Sequence, residues 1–219
     1  MINVALDGPA GSGKSTVAKM IAKKLDILYL DTGAMYRACG LKCYTLDVEV
    51  TDEKRVNEIV GNIDLQIKYV DGSQVTVLDG KDVSTDIRRP EISMLASTIS
   101  ANPFVRVKMV EKQREIANST DCVLDGRDIG TYVLPNANYK FYMTADSKIR
   151  AERRYKELLA RGEQVDFDQL HDEIKKRDYN DSHRSFAPLR QADDAVLIDT
   201  SEISAEEVAD KILSYIKEK

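Results

Sequence analysis

No apolar run in the 219 residues approaches the roughly 20 that a membrane-spanning helix requires, and the first residues carry neither the basic stretch nor the cleavage site of a secretion signal. A soluble, cytoplasmic protein is the expectation. Cysteine is scarce: Cys39, Cys43 and Cys122 show no C-x-x-C or Cys/His spacing, which argues against a zinc module or a redox pair. Cys39 and Cys43 stand four apart, as on one helical face, and read as reduced thiols acting as small hydrophobes. The two histidines, His171 and His183, are isolated, so neither supports a triad or a metal centre by itself.

An excess of one charge sign is also missing. The 32 Lys and Arg against 37 Asp and Glu give a net charge of −5, with both signs mixed along the chain. That leaves no basic stripe for nucleic acid and no basic face for a membrane. Small-molecule partners and a monomer are expected. Internal repeats, low-complexity tracts and a guanine-reading N-K-x-D segment are absent as well, and the last absence argues against a regulatory GTP switch.

What is present begins at the first residues. Ile2, Val4, Ala5 and Leu6 form a short, partly β-branched run, and Val17, Met20, Ile21 and Leu25 then recur at helical spacing. The turn between them, Gly8-Pro9-Ala10-Gly11-Ser12-Gly13-Lys14-Ser15, satisfies G-x-x-x-x-G-K-[ST] at every fixed position. Glycines let backbone N–H groups converge on an anion, and the helix N-terminus adds its positive dipole. Lys14 would neutralise β- and γ-phosphates and Ser15 would ligate Mg2+, with Gly8 to Thr16 forming a cradle for a nucleotide's phosphates.

The strand-to-helix pattern recurs at "ILYLDTGAMYR", where Asp31-Thr32-Gly33 reads as a cap before a helix through Leu46. A further helix is predicted from Thr51 to about Asn62. From Asp64 the texture alternates, with Asp71-Gly72 and Asp79-Gly80 as turns, and implies a small antiparallel β-module inserted among β-α units. Pro90 and Pro103 open two helices. The runs "CVLDGRD", "YKFYM" and "AVLID" read as strands, with a long charged helical region from Ser147 to about Asp181 broken at Arg161-Gly162. Ser204 to Glu207 forms a capping box before the last helix. Five core strands separated by helices imply an α/β fold with a mainly parallel sheet, whose ligands gather at the strands' carboxyl ends. Asp31 and Asp125 to Asp128 fall there.

Arginines cluster around the same positions. Arg37 and Arg127 follow strands, and Arg177 and Arg184 bracket Asp181. Guanidinium forks grip phosphate oxygens, so a second anion site opposite the triphosphate is implied, with Arg37 and Arg127 placed for it beside the strand ends, whereas most other cations read as surface ion pairs. The cluster Arg150, Arg153, Arg154 and Arg161 fits either a solvated helix face or a lid over a transferring phosphate.

Over essentially its whole length the chain resembles the bacterial cytidylate kinases, through "DGPAGSGKST", "LDTGAMYR", "DVSTDIR", "DGRDIGT", "RAERR", "IKKRDYNDSHRSFAPL" and "LIDTSE". The resemblance implies a P-loop kinase fold and transfer of the γ-phosphoryl group of ATP to CMP or dCMP, with Mg2+. It divides the single chain into a core (1–31, 119–147 and 187–219), an acceptor-binding region (32–118, with the β-insert at 63–89) and a lid (148–186). It also implies that Arg37, Arg127 and Arg184 hold the acceptor phosphate and that Ser97, Arg106 and Asp128 read cytosine. Arg177 and Asp181 would hold the pentose, and Lys14, Arg153 and Arg154 would stabilise the transferring group. Thr32 stands where many relatives carry serine, and keeps the hydroxyl. No general base is needed, because the attacking phosphate oxygen is already anionic.

Overall fold

The computed structural model describes residues 1–217; Glu218 and Lys219, the end of the segment read as core, lie outside the described residues. In chain order, β1 (Asn3–Asp7) leads through the glycine loop into α1 (Lys14–Leu25), and β2 (Leu28–Asp31) leads directly into α2 (Thr32–Thr45). After α3 (Glu53–Gly61) come β3 (Leu65–Val70), β4 (Ser73–Leu78) and β5 (Lys81–Asp82), then α4 (Pro90–Ile99) and α5 (Pro103–Ala117). β6 (Cys122–Gly126) is followed by a π-helical turn, Ile129–Val133, and β7 (Tyr139–Thr144). The chain continues through α6 (Ser147–Ala160), α7 (Phe167–His183), β8 (Val196–Asp199) and α8 (Ala205–Lys217).

The five-stranded sheet runs β2-β6-β1-β7-β8, and β3-β4-β5 form a separate three-stranded antiparallel sheet. The chain divides into two compact units, one of residues 28–121 and one of residues 2–27 with the segment from Cys122 onward.

In the second unit β1 pairs in parallel with β6 on one side and β7 on the other, and β7 pairs in parallel with β8. Val4, Ala5 and Leu6 are fully buried, as a strand between two neighbours requires, whereas Ile2 is exposed and falls outside the strand. In α1 the buried stripe is Val17, Ala18, Ile21 and Ala22, shifted from the apolar spacing toward small residues that allow close approach to β6 and α8. Register places Leu6 beside Asp125 and Asp7 beside Gly126. The glycine loop and the Arg127-Asp128 segment therefore leave the sheet from adjacent strand ends. Helices α6 and α7 share a small core of Ala151, Leu158, Leu170 and Ile174, with Tyr155 and Phe167 edge to face.

In the first unit the two Asp-Gly turns carry positive φ at both residues, 51° and 72° for Asp71 and Gly72, 50° and 78° for Asp79 and Gly80. This is the turn chirality that matches strand twist in a two-residue hairpin. α3 begins later than the sequence spacing predicts, at Glu53, because the Asp52 carboxylate accepts from Arg55 N at 3.1 Å and caps the helix. The three cysteines are buried and form no disulfide, and burial pushes the Cys39 thiol up to about 12.

Asn102 joins α5 to α3. Its Oδ1 accepts from Phe104 N at 2.9 Å and Val105 N at 3.4 Å, while its Nδ2 donates to Asn57 Oδ1 at 2.9 Å. Asn102→Ala removes the acceptor of the Phe104 and Val105 N–H groups and the tie to Asn57. A loss of about 1–2 kcal/mol is expected in urea unfolding, with an unchanged denaturant slope.

Candidate active site

At the end of β1 the backbone turns with φ of 146° at Gly8, 76° at Gly11 and 89° at Gly13. A Cβ on Gly8 would lie 1.9 Å from the Met143 carbonyl oxygen of β7, so only glycine permits the loop to leave the sheet here. Gly13 takes the N-cap position of α1 in the left-handed region, where no side chain caps the first turn. The first N–H groups of α1 thus have no side-chain cap, an arrangement suited to an anion. Lys14 is buried, and its Nζ donates to Pro9 O at 2.7 Å and reaches Ser12 Oγ at 3.2 Å.

Desolvation, followed by the proximity of Arg127, lowers the Lys14 ammonium to about 7, against the opposing pull of Asp125 and Asp7. Burial is the larger cause, and a phosphate brought beside Lys14 would favour its charged form. Ser15 is exposed at the first turn of α1, and its Oγ donates to Asp125 Oδ2 at 2.6 Å. A hydroxyl and a carboxylate side by side fit a hard cation that retains most of its waters, as Mg2+ does.

Asp7 was not singled out from the sequence. Its two oxygens accept from Ile129 N and Gly130 N, each at 2.7 Å, tying the glycine loop's strand to the backbone that follows Arg127-Asp128. Burial pushes its carboxyl up to about 6 despite those two donors.

Arg127 Nε donates to Asp181 Oδ2 at 2.8 Å, and Arg184 Nη1 lies 3.9 Å from Asp181 Oδ1. Burial alone would raise the Asp181 carboxyl, but Arg127, Arg177 and Arg184 outweigh it and hold it below the usual carboxylate range. Asp128 Oδ1 stands 3.4 Å from Arg184 Nη2, both side chains nearly inaccessible. Of the positions expected to carry chemistry, the second unit therefore brings together Lys14, Ser15, Arg127, Asp128, Arg177, Asp181 and Arg184.

The charged cluster on α6 divides. Arg150 is buried, donating to Ala145 O and Ala10 O and pairing with Asp178 Oδ2 at 2.7 Å, so it braces the glycine loop rather than facing solvent. Arg153 donates to Thr200, whose Oγ1 in turn donates to Ser12 O at 3.1 Å. Arg154 pairs with Glu157 on its own helix, at 3.0 Å. Thr200, like Asp7, was invisible to spacing arguments because its role depends on β8 ending beside the glycine loop.

In the first unit Thr32 is buried at the start of α2, and Arg37 Nη2 donates to Asp31 Oδ2 at 2.8 Å. Arg88, not singled out beforehand, has Nη2 4.0 Å from the same oxygen. Arg106 is buried, with Nη1 donating to Ser100 O at 2.9 Å and its guanidinium 5.3 Å over the Tyr36 ring. Ser100 Oγ donates to Ser97 O, which links the two residues expected to read a base in this unit.

The cytidylate kinase family model matches residues 4–218. A cytidylate kinase of Caldicellulosiruptor bescii is 52% identical over 97% of this chain and 94% of its own length. One from Halalkalibacterium halodurans is 47% identical over 100% of this chain and 98% of its own. The chain belongs to the cytidylate kinase family. Among solved structures, an uncharacterized protein from Eubacterium ventriosum superposes with a TM-score of 0.55 at 16% identity, covering 100% of both chains. A gluconokinase from Sinorhizobium meliloti gives 0.50 at 13%, covering 99% of this chain and 92% of its own. These two show the fold alone. Among the described residues no helix is long and apolar enough to cross a membrane.

For this cytidylate kinase family member the raised Asp7 carboxyl has a measurable consequence. The unfolded chain gives up that proton near 3.8 and the folded chain near 6, so stability from this group is full below about pH 4 and falls as pH rises to about 6. The loss is on the order of 3 kcal/mol. Asp7→Asn removes the titration, and urea unfolding between pH 4 and 7 should show a flatter stability profile than the parent. Parallel profiles would contradict the assignment.

Proposed function

We infer that the chain transfers the γ-phosphoryl group of ATP to CMP or dCMP, yielding ADP and CDP or dCDP. Family membership supports the reaction, and the observation that carries it in the structure is the buried Lys14 at a helix N-terminus, beside an arginine, Arg127, that is tethered to Asp181. In this reading the glycine loop, Gly8 to Thr16, cradles the ATP phosphates, and Lys14 meets charge that grows on the transferring group. Mg2+ would be held by Ser15, with Asp125 beside it, and when bound would neutralise the phosphate oxygens. Segment 148–186 serves as the lid and contributes Arg153 and Arg154, while residues 32–118 form the acceptor-binding region.

The acceptor's phosphate is assigned to Arg37, Arg127 and Arg184, with Thr32 donating its hydroxyl. Ser97, Arg106 and Asp128 read the base, and Arg177 and Asp181 hold the pentose. The tethers seen within each unit support this division. Asp181 restrains Arg127 at 2.8 Å and Asp31 restrains Arg37 at 2.8 Å, so each fork is already oriented and loses little freedom on gripping a phosphate. A carboxylate at position 128 accepts from the N4 amino group of cytosine and opposes the O4 carbonyl of uracil.

The direct test is incubation with Mg-ATP and each nucleoside monophosphate, scored for diphosphate. Production from CMP and dCMP well above all others is expected, and preference for another acceptor would overturn the reading. Asp128→Asn refines it. Losing a charge-assisted hydrogen bond should lower the CMP-over-UMP ratio of kcat/KM by about tenfold or more. If Asp128 serves only to hold Arg184, both acceptors suffer alike and the ratio stays put.

A further inference from the structure

The three-stranded β-insert supplies none of the side chains assigned so far, yet one of its residues grips the backbone on which Arg37 depends. Gln74, at the start of β4, accepts at Oε1 from Asp31 N at 2.7 Å and donates from Nε2 to Asp31 O at 3.3 Å. One amide thus satisfies both backbone groups of Asp31, as a neighbouring strand would. The Asp31 side chain is equally committed, with Oδ1 accepting from Ala34 N at 3.0 Å as the cap of α2 and Oδ2 accepting from Arg37 Nη2. Asp31 is therefore held at all four polar atoms.

The guanidinium it directs is closely confined. A Cβ added at Gly33 would meet Arg37 Nη1 at 3.0 Å, so the fork lies flat against the first turn of α2. Arg37 Nε is buried and has no hydrogen-bond partner among the described residues. Rotation of Asp31 about its backbone would carry Arg37 Nη2 with it, and Gln74 opposes that rotation. A second contact, Tyr69 Oη donating to Tyr29 O at 3.2 Å, holds the insert to β2 at a different residue of that strand.

We propose that Gln74 of the β-insert is a positioning residue for the acceptor phosphate, setting the direction of the Arg37 guanidinium through the backbone of Asp31. This rests on the reading that Arg37 grips the acceptor phosphate. The insert thereby contributes to acceptor use, through geometry rather than contact. Gln74→Met keeps the side chain's length and removes both hydrogen bonds. Tyr69→Phe loosens the docking of the insert and leaves Asp31 alone.

Five variants decide the matter by initial rates with CMP and ATP varied in turn, together with thermal unfolding. Gln74→Met should raise the KM for CMP about three- to tenfold, the range set by loss of ordinary hydrogen bonds, with KM for ATP and kcat at saturating CMP within twofold of the parent. Gln74→Glu, which still accepts from Asp31 N, should fall between the two and serves alone if the methionine variant does not fold. Tyr69→Phe should lower Tm and leave the KM for CMP in place. Arg37→Lys should raise the KM for CMP, and adding Gln74→Met to it should raise KM by less than Gln74→Met does alone. If Arg37→Lys raises KM and Gln74→Met does not, or if Tyr69→Phe and Gln74→Met raise it equally, positioning by Gln74 is overturned while the role of Arg37 stands. If Arg37→Lys leaves the KM for CMP unchanged, the acceptor reading of Arg37 falls and the proposal with it.

Discussion

Asp7 accepts the N–H groups of Ile129 and Gly130 with its two oxygens, and that one buried contact ties the root of the glycine loop to the Arg127-Asp128 segment. The parallel register of β1 and β6 brings two chain segments out of the sheet side by side, but register alone leaves them free to splay. A carboxylate at the last residue of β1 closes the gap. It fixes the backbone just beyond Arg127 and Asp128 against the root of the phosphate loop. An amide in its place would face one of the two N–H groups with its oxygen and the other with its own NH2 donor, whereas a carboxylate accepts both.

Charge in this unit is arranged around restraint rather than neutrality. Asp181 is held below the usual carboxylate range by the arginines around it, and the same contacts tether Arg127 in the site. Lys14 has the opposite problem, since burial and Arg127 both work against its charge. An anion bound beside it would favour the charged ammonium. Arg150 and Thr200 add mechanical support, joining the glycine loop at Ala10 and Ser12 to α6 and to the end of β8.

The first unit solves a related problem with different means. Its arginines are anchored one at a time: Arg37 to the cap of α2, and Arg106 to the Ser100 carbonyl and the face of Tyr36. Asp31, which orients Arg37, is itself held at backbone and side chain. The β-insert enters this scheme through Gln74, which makes an element with no assigned contact to substrate part of how an arginine is aimed.

Local sequence determined a good deal. The strand-turn-helix at the glycine loop, the Asp-Gly hairpins, the prolines opening α4 and α5 and the capping box at Ser204 are all properties of a few adjacent residues, so spacing and backbone chemistry suffice to read them. The family motifs likewise brought Lys14, Arg127, Asp128 and Asp181 to attention before any coordinates. What the sequence could not show is anything that depends on pairs far apart in the chain. Asp7 with Ile129, Ser15 with Asp125, Arg150 with Ala10 and Asp31 with Gln74 are separated by 122, 110, 140 and 43 positions, and no local pattern marks either partner. Arg150 shows the limit well: on the helix it reads as one more cation in a charged run, and only the packing of α6 beside the glycine loop turns it into a buried brace. Residue types and local backbone preferences set which groups are available, whereas strand register and helix packing decide which of them meet.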